Sequence, residues 1–214
     1  MAARVVCISR TLAASGEDIA RAVAGELGFR LVDAEIIARA AEKAGVEPRR
    51  VHEAEQRQPP LRRLLTSVRS PGAAGDRAYE HESALSEAAA ASGEATQARL
   101  RALIRDAIGE IAAEGRVVII AHAASMALGG REDVLRVLVT ASPDTRARRL
   151  VQLSQVSLGE ARDAVAQSDR ARDHYFKHFY RVGLELPTHY DIVVNTDALT
   201  PEQAIRLIVA AASG

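Results

Sequence analysis

The sequence predicts an α/β protein: a five-stranded parallel sheet flanked by helices. Three observations carry this. Short apolar runs rich in Val, Ile and Leu recur at residues 4–9, 30–32, 117–120, 135–140 and 191–195. Each is of strand length and lacks the alternation of a half-exposed strand, as expected when both faces are covered. Between them lie longer segments whose apolar residues repeat at helical spacing. Several of those segments open on capping residues or close on glycine, which is helix punctuation. Strands alternating with helices give parallel pairing with right-handed crossovers.

Taken in order, residues 4–9 form the first strand. A helix begins near Gly16 and Glu17, with Ile19, Ala20, Val23, Ala24 and Leu27 on one face and Gly28 as its stop. Residues 30–32 are a second strand, and residues 34–44 return to helix, ending at Gly45. The stretch from Glu47 to about Ala95 differs. It holds Pro59 and Pro60, an amphipathic basic piece, and a Ser, Pro and Gly cluster at residues 70–75. Its composition predicts an insertion with some helix, loosely ordered over residues 70–93. Regular structure resumes with a helix at 96–113 and strands at 117–120 and 135–140. Ser142, Pro143 and Asp144 open the next helix: a cap, proline at the first helical position, then an acid. Ser157 with Glu160, and Thr200 with Gln203, are capping boxes for two more helices. The strand at 191–195 lies between those two.

The 214 residues suit one domain, 1–214, with 48% hydrophobic residues to fill a core. Lys plus Arg and Asp plus Glu are 28 each, so no basic field points to nucleic acid, and 3% aromatics offer little for base stacking. Cys7 is the sole cysteine, which excludes an internal disulfide and a cysteine-based zinc site. No apolar run has the length of a bilayer span, so no membrane is expected. No secretion signal is evident, and a cytoplasmic location is expected.

Ligands of parallel sheets bind beyond the carboxyl ends of the strands. The residues to weigh are therefore 10–16, 33–35, 121–125, 140–144 and 196–197. Residues 4–27 have the layout strand, small-residue turn, helix, in which backbone N–H groups and a helix N-terminus can cradle phosphate. The usual signature is G-x-x-x-x-G-K-[S/T]. Here the turn reads Arg10, Thr11, Leu12, Ala13, Ala14, Ser15, Gly16, Glu17, Asp18, without the lysine or the magnesium-binding hydroxyl. Two readings stay open: a phosphate site, or an ordinary connection between strand and helix. Asp33 is open in the same way, either a ligand contact or a helix cap. His174, His178 and His189 match no metal-ligand spacing and read as structural or surface residues.

Five segments in order resemble the cytidylate-kinase-like family of P-loop nucleoside monophosphate kinases. They are Ile8-Ser9-Arg10 with Gly16-Glu17-Asp18-Ile19-Ala20; Asp33-Ala34-Glu35-Ile36-Ile37; residues 135–150; Ser168-Asp169-Arg170-Ala171-Arg172 with Tyr175-Phe176-Lys177; and residues 190–204. The resemblance covers residues 4–45 and 96–212. It implies a P-loop kinase-like core of residues 1–46, 96–150 and 184–214. It also implies a monophosphate-binding insertion at 47–95 and a helical lid at 151–183. The implied activity is ATP-dependent phosphorylation of a cytidylate-like nucleotide with Mg2+. The alternative is a non-catalytic descendant that binds nucleotide or serves as an interaction module. Arg10, Arg149, Arg170 and Arg172 are the implied catalytic cations, since phosphoryl transfer rests on positioning and charge neutralisation. Ala13, Ala14, Ser15, Gly16, Glu17 and Asp18 would hold ATP, with Asp18 also nearest to the metal. Asp33, His122 and Asp169 would face the acceptor. The chain departs from the family at Ala13 and Ser15, where glycine is usual, and at Ala121 and His122, where Gly-Arg is usual.

Overall fold

A computed structural model describes residues 2–33, 35–46, 83–120 and 123–214, with the side chains of residues 83–97 and of His178 outside that description. The strands are β1 (Val5–Arg10), β2 (Arg30–Val32), β3 (Val117–Ile119), β4 (Val134–Thr140) and β5 (Ile192–Asn195). The helices are α1 (Gly16–Leu27), α2 (Glu35–Ala44), α3 (Ser83–Glu114), α4 (Ala124–Ala127), α5 (Pro143–Ser154), α6 (Leu158–Tyr180) and α7 (Pro201–Ser213). The sheet order is β2-β3-β1-β4-β5, and every neighbouring pair is parallel. The five predicted strands are all present, with ends shifted by one residue at most.

The period-two alternation of side chains divides β1 between two cores. Val5 and Cys7 join Ile36, Ala40, Ile108 and Ile111 of α2 and α3 on one face. Val6 and Ile8 join Ile19, Val23 and Ile208 of α1 and α7 on the other. With β3 and β4 on its two sides, β1 is the central strand, and Val5 and Val6 are fully buried. Cys7 is 1% exposed, and burial pushes its thiol up to about 12.

The predicted punctuation is formed. Gly28 takes φ 62° and returns its N–H to the end of α1. The Ser142 side chain accepts from Thr145 N–H, and reciprocal capping boxes close at Ser157 with Glu160 and at Thr200 with Gln203. Two elements differ from expectation. Helix α3 begins at Ser83, not at residue 96, so residues 83–95 of the expected insertion have helical backbone. The alanine-rich run before Gly93 has high helix propensity, and a single glycine does not end a helix whose later turns are packed. The one-turn helix α4 has no sequence signal: it opens on Ala123 at φ 61°. The remainder of the expected insertion, residues 47–82 with the 70–75 cluster, lies outside the described residues, as do Ala34, Ala121 and His122.

Helices α5 and α6 form a hairpin of their own. Ala147 and Leu150 pack on Ala161, Ala164 and Val165, and Leu12 and Ala13 lean against the same cluster. The connection between β1 and α1 is thus wedged between the sheet and this hairpin. On the opposite flank Arg39 pairs with Glu35 at 2.6 Å and with Glu114 at 2.7 Å, and Arg30 binds the same two carboxylates. This joins β2, α2 and the end of α3. Among the described residues no helix is long and apolar enough to cross a membrane.

Candidate phosphate-binding site

Strand β1 ends at Arg10, and the next five residues turn the chain into α1. Thr11 N–H donates to Val139 carbonyl at 3.1 Å, and Ala14 N–H closes the turn on Thr11 carbonyl at 3.2 Å. Ala13 and Ser15 have φ of 59° and 63°. That is the left-handed region, which costs a non-glycine residue roughly 1–2 kcal/mol. Two positions at which the sequence departs from glycine thus keep the left-handed backbone that glycine would adopt freely.

Gly16 is needed for a different reason. A Cβ there would lie 2.5 Å from Arg10 Cβ and 2.9 Å from Arg10 Cδ. The Arg10 side chain therefore lies directly over the start of α1. Its Nε is 2.6 Å from Glu17 Oε1, but the angle is too poor for a hydrogen bond, so the contact is one of charge only.

Ser15 makes no side-chain cap to α1. Among the described residues the N–H groups of Ser15, Gly16, Glu17 and Asp18 have no acceptor. These are the donors a helix N-terminus leaves unpaired, with the positive end of the helix dipole behind them. Donors so arranged are able to bind an anion. The carboxylates of Glu17 and Asp18 at the same place oppose an approaching anion. Asp18 is exposed and paired with Arg21 at 2.9 Å. Among the described residues no group of three or more His, Cys, Asp or Glu could hold a metal ion. One exposed carboxylate does not make a resident metal site, and magnesium usually binds through one or two carboxylates together with substrate phosphates.

The arginines implied as catalytic are placed unequally. Arg172 is buried. Its Nε and Nη2 bind Glu185 at 2.7 and 2.6 Å, Nη2 also reaches Ser9 Oγ at 2.8 Å, and Nη1 donates to Arg10 carbonyl at 3.1 Å. Tyr190 hydroxyl donates to Glu185 as well, and Phe176 lies under the guanidinium at 4.8 Å. Burial opposes both charges, but the Glu185 hydrogen bonds hold Arg172 above its usual range, and Arg172 holds the Glu185 carboxyl below its own. Arg149 Nη1 donates to Thr196 Oγ1 at 2.9 Å and lies 3.5 Å from Ala13 carbonyl, while Nη2 donates to Thr196 carbonyl at 2.7 Å. Arg170 is exposed and, among the described residues, has no partner. The structure thus brings Arg10, Arg149 and Arg172 to the turn and leaves Arg170 on the surface of α6.

Asp169 is bound in a fork by Arg146, at 2.8 and 2.6 Å, which ties α6 to α5. Asp33 is exposed, without a partner among the described residues. His122 lies outside them. His189 Nδ1 accepts from Leu186 N–H at 3.2 Å, a structural contact. Thr196 went unnamed as a site residue in the sequence, although its place after β5 flags it. Glu185 has no sequence signal: it lies in an irregular connection and is defined only by what Arg172 reaches.

Comparison with known proteins agrees with this geometry. The cytidylate kinase-like family matches residues 5–198, from the first strand to just beyond the last. An uncharacterized protein from Eubacterium ventriosum ATCC 27560 is 14% identical, with a TM-score of 0.63 over 97% of both chains. TT1252 from Thermus thermophilus is 19% identical, with a TM-score of 0.51 over 100% of both chains. A shikimate kinase from Bacteroides thetaiotaomicron is 17% identical, with a TM-score of 0.47 over 97% of this chain and 94% of that one. At such identities the likeness is one of fold. No curated protein matches. A parallel sheet of order 2-3-1-4-5, a left-handed turn after its central strand and a family match over most of the sequence converge: the chain belongs to the cytidylate kinase-like family.

Proposed function

We propose that this protein binds a nucleotide at the turn after β1 and transfers a phosphoryl group from ATP to a nucleoside monophosphate of the cytidylate class. The observation that carries the reading is the strained backbone at Ala13 and Ser15 beside four N–H groups that have no acceptor among the described residues. Backbone strain kept at the ligand end of a parallel sheet points to a functional conformation. In this reading the N–H groups of Ser15, Gly16, Glu17 and Asp18 hold the donor phosphates. Arg10 swings from Glu17 to add charge, and Arg170 reaches in from α6, with residues 151–183 as the lid. Magnesium arrives with ATP, and it neutralises phosphate charge that Glu17 and Asp18 would otherwise repel. Asp33, at the carboxyl end of β2, is the acceptor-side residue.

A second reading, nucleotide binding without transfer, is favoured by one specific observation. The guanidinium groups of Arg146, Arg149 and Arg172 are engaged by protein acceptors, and no lysine follows Gly16. Calorimetric titration with ATP, with and without Mg2+, and with CMP, together with a coupled assay for ADP release, separates the two. Turnover that requires both CMP and Mg2+ supports transfer. Binding without turnover supports the second reading. Failure of both nucleotides to bind at millimolar concentration overturns both.

A further inference from the structure

The turn after β1 holds two non-glycine residues in a conformation that glycine would adopt freely, and something outside the turn must keep them there. Its carbonyl groups show what does. Ala14 carbonyl faces Thr196 Oγ1 at 3.3 Å, and the same hydroxyl lies 3.2 Å from Thr140 carbonyl. Arg149 binds that hydroxyl and the Thr196 carbonyl with its two Nη groups and approaches Ala13 carbonyl. In a trans peptide the carbonyl and the following N–H point in opposite directions. With Ala14 carbonyl held toward Thr196, the Ser15 N–H is turned the other way, toward the open side where phosphate would sit.

We infer that Thr196 and Arg149 form a clamp that replaces the missing glycines, positioning the turn from behind and not touching the nucleotide. The clamp is built from two elements distant in sequence from the turn, since Thr196 directly follows β5 and Arg149 lies on α5. Ser15 is the residue it chiefly restrains. The methyl of Ala13 is also held by packing against the α5–α6 hairpin, whereas the Ser15 side chain makes no hydrogen bond among the described residues. Arg149 is then a positioning residue, and its fork cannot be reproduced by the point charge of a lysine.

This inference rests on the phosphate-binding reading of the turn, and the test has two arms so that the two can fail separately. In the binding arm, calorimetry with inorganic tripolyphosphate and with MgATP compares wild type, Thr196→Val, Arg149→Lys and each of these combined with Ser15→Gly. Each single variant is expected to bind about three- to tenfold more weakly, the scale of one lost hydrogen bond. Ser15→Gly is expected to restore most of that loss, because glycine reaches the left-handed region without help. In the stability arm, urea unfolding of the Thr196→Val and Ser15→Gly cycle needs no ligand. Ser15→Gly should stabilise the protein with its clamp intact and do little once Thr196→Val has let the turn relax. Equal effects of Ser15→Gly in both backgrounds overturn the clamp, even if wild type binds neither probe. A binding loss in Arg149→Lys that Ser15→Gly fails to recover also overturns it, and makes Arg149 a direct phosphate contact.

Discussion

Gly16 and Ser15 are neighbours, yet the reasons for their side chains, or lack of one, are opposite. Ser15 carries a side chain where the backbone favours none. Gly16 lacks one because Arg10 occupies the space. Gly16→Ala should therefore cost about 1–3 kcal/mol, the usual range for overpacking, and should displace Arg10 from above the turn. Chemical denaturation measures the first effect. The second shows as a loss of nucleotide affinity, whereas Glu17→Gln, which removes a repelling carboxylate and releases the Arg10 guanidinium, should leave affinity unchanged or raise it. Much of this region was legible beforehand. The rule that ligands gather at strand ends pointed to Arg10, and a single glycine before a helix pointed to Gly16. The rotation of Ala13 and Ser15 into the left-handed region was not legible, because their side chains favour other conformations. What holds them, Thr196 and Arg149, is distant in sequence and meets the turn only in the folded sheet.

Helix α6 is tied to the central strand by one buried side chain, beside the apolar packing of Phe176 and Tyr175 on Ala123. Arg172 reaches from the helix to Ser9, Arg10 carbonyl and Glu185, and both partners of its ion pair are largely buried. Arg172→Met leaves the Glu185 carboxylate buried without its partner, so about 3–5 kcal/mol of stability should be lost. Guanidinium denaturation would show it, and a loss below about 1 kcal/mol would place the pair among weak surface bridges. Its pH dependence has a definite sign. Burial pushes the Glu185 carboxyl up, but Arg172 more than offsets this and holds it below the usual range. A depressed folded-state value contributes stability that is present above the unfolded value, about 4.3, and is lost as pH falls through the folded one. Glu185→Gln should flatten this part of the acid limb, as read by denaturation midpoints between about pH 5 and 2. At this scale the sequence was most informative where the signal is local: the capping boxes at Ser157 and Thr200 and the stop at Gly28 formed as read. The start of α3 was not read correctly, since alanine-rich sequence with serine and glycine suits a loop by composition and a helix by propensity.

The whole molecule is arranged around one strand. β1 is central in the sheet, its alternate residues enter both cores, and its last residue opens the candidate site. The parallel sheet was legible because short Val- and Ile-rich runs alternate with helical segments; burial on both faces holds for β1 and β3, whereas the edge strands β2 and β5 are partly exposed. The strand order was not, because neighbours in the sheet are not neighbours in the chain. The same centrality turns Cys7 into a built-in reporter. As the only thiol in the chain, 1% exposed and with its proton held up to about 12, it cannot react with an alkylating reagent from the native state. Frayed termini and opening of the α5–α6 hairpin leave it covered. Labelling by a maleimide at neutral pH should therefore proceed through events that lift α2 and α3 from the sheet or separate β1 from its neighbours, and where these occur only on global unfolding its rate tracks that equilibrium. A labelling rate insensitive to low urea would reveal a local opening of the α2–α3 cover over the sheet. Otherwise this single atom, followed by mass spectrometry without any engineered probe, measures how often the protein comes apart at its centre.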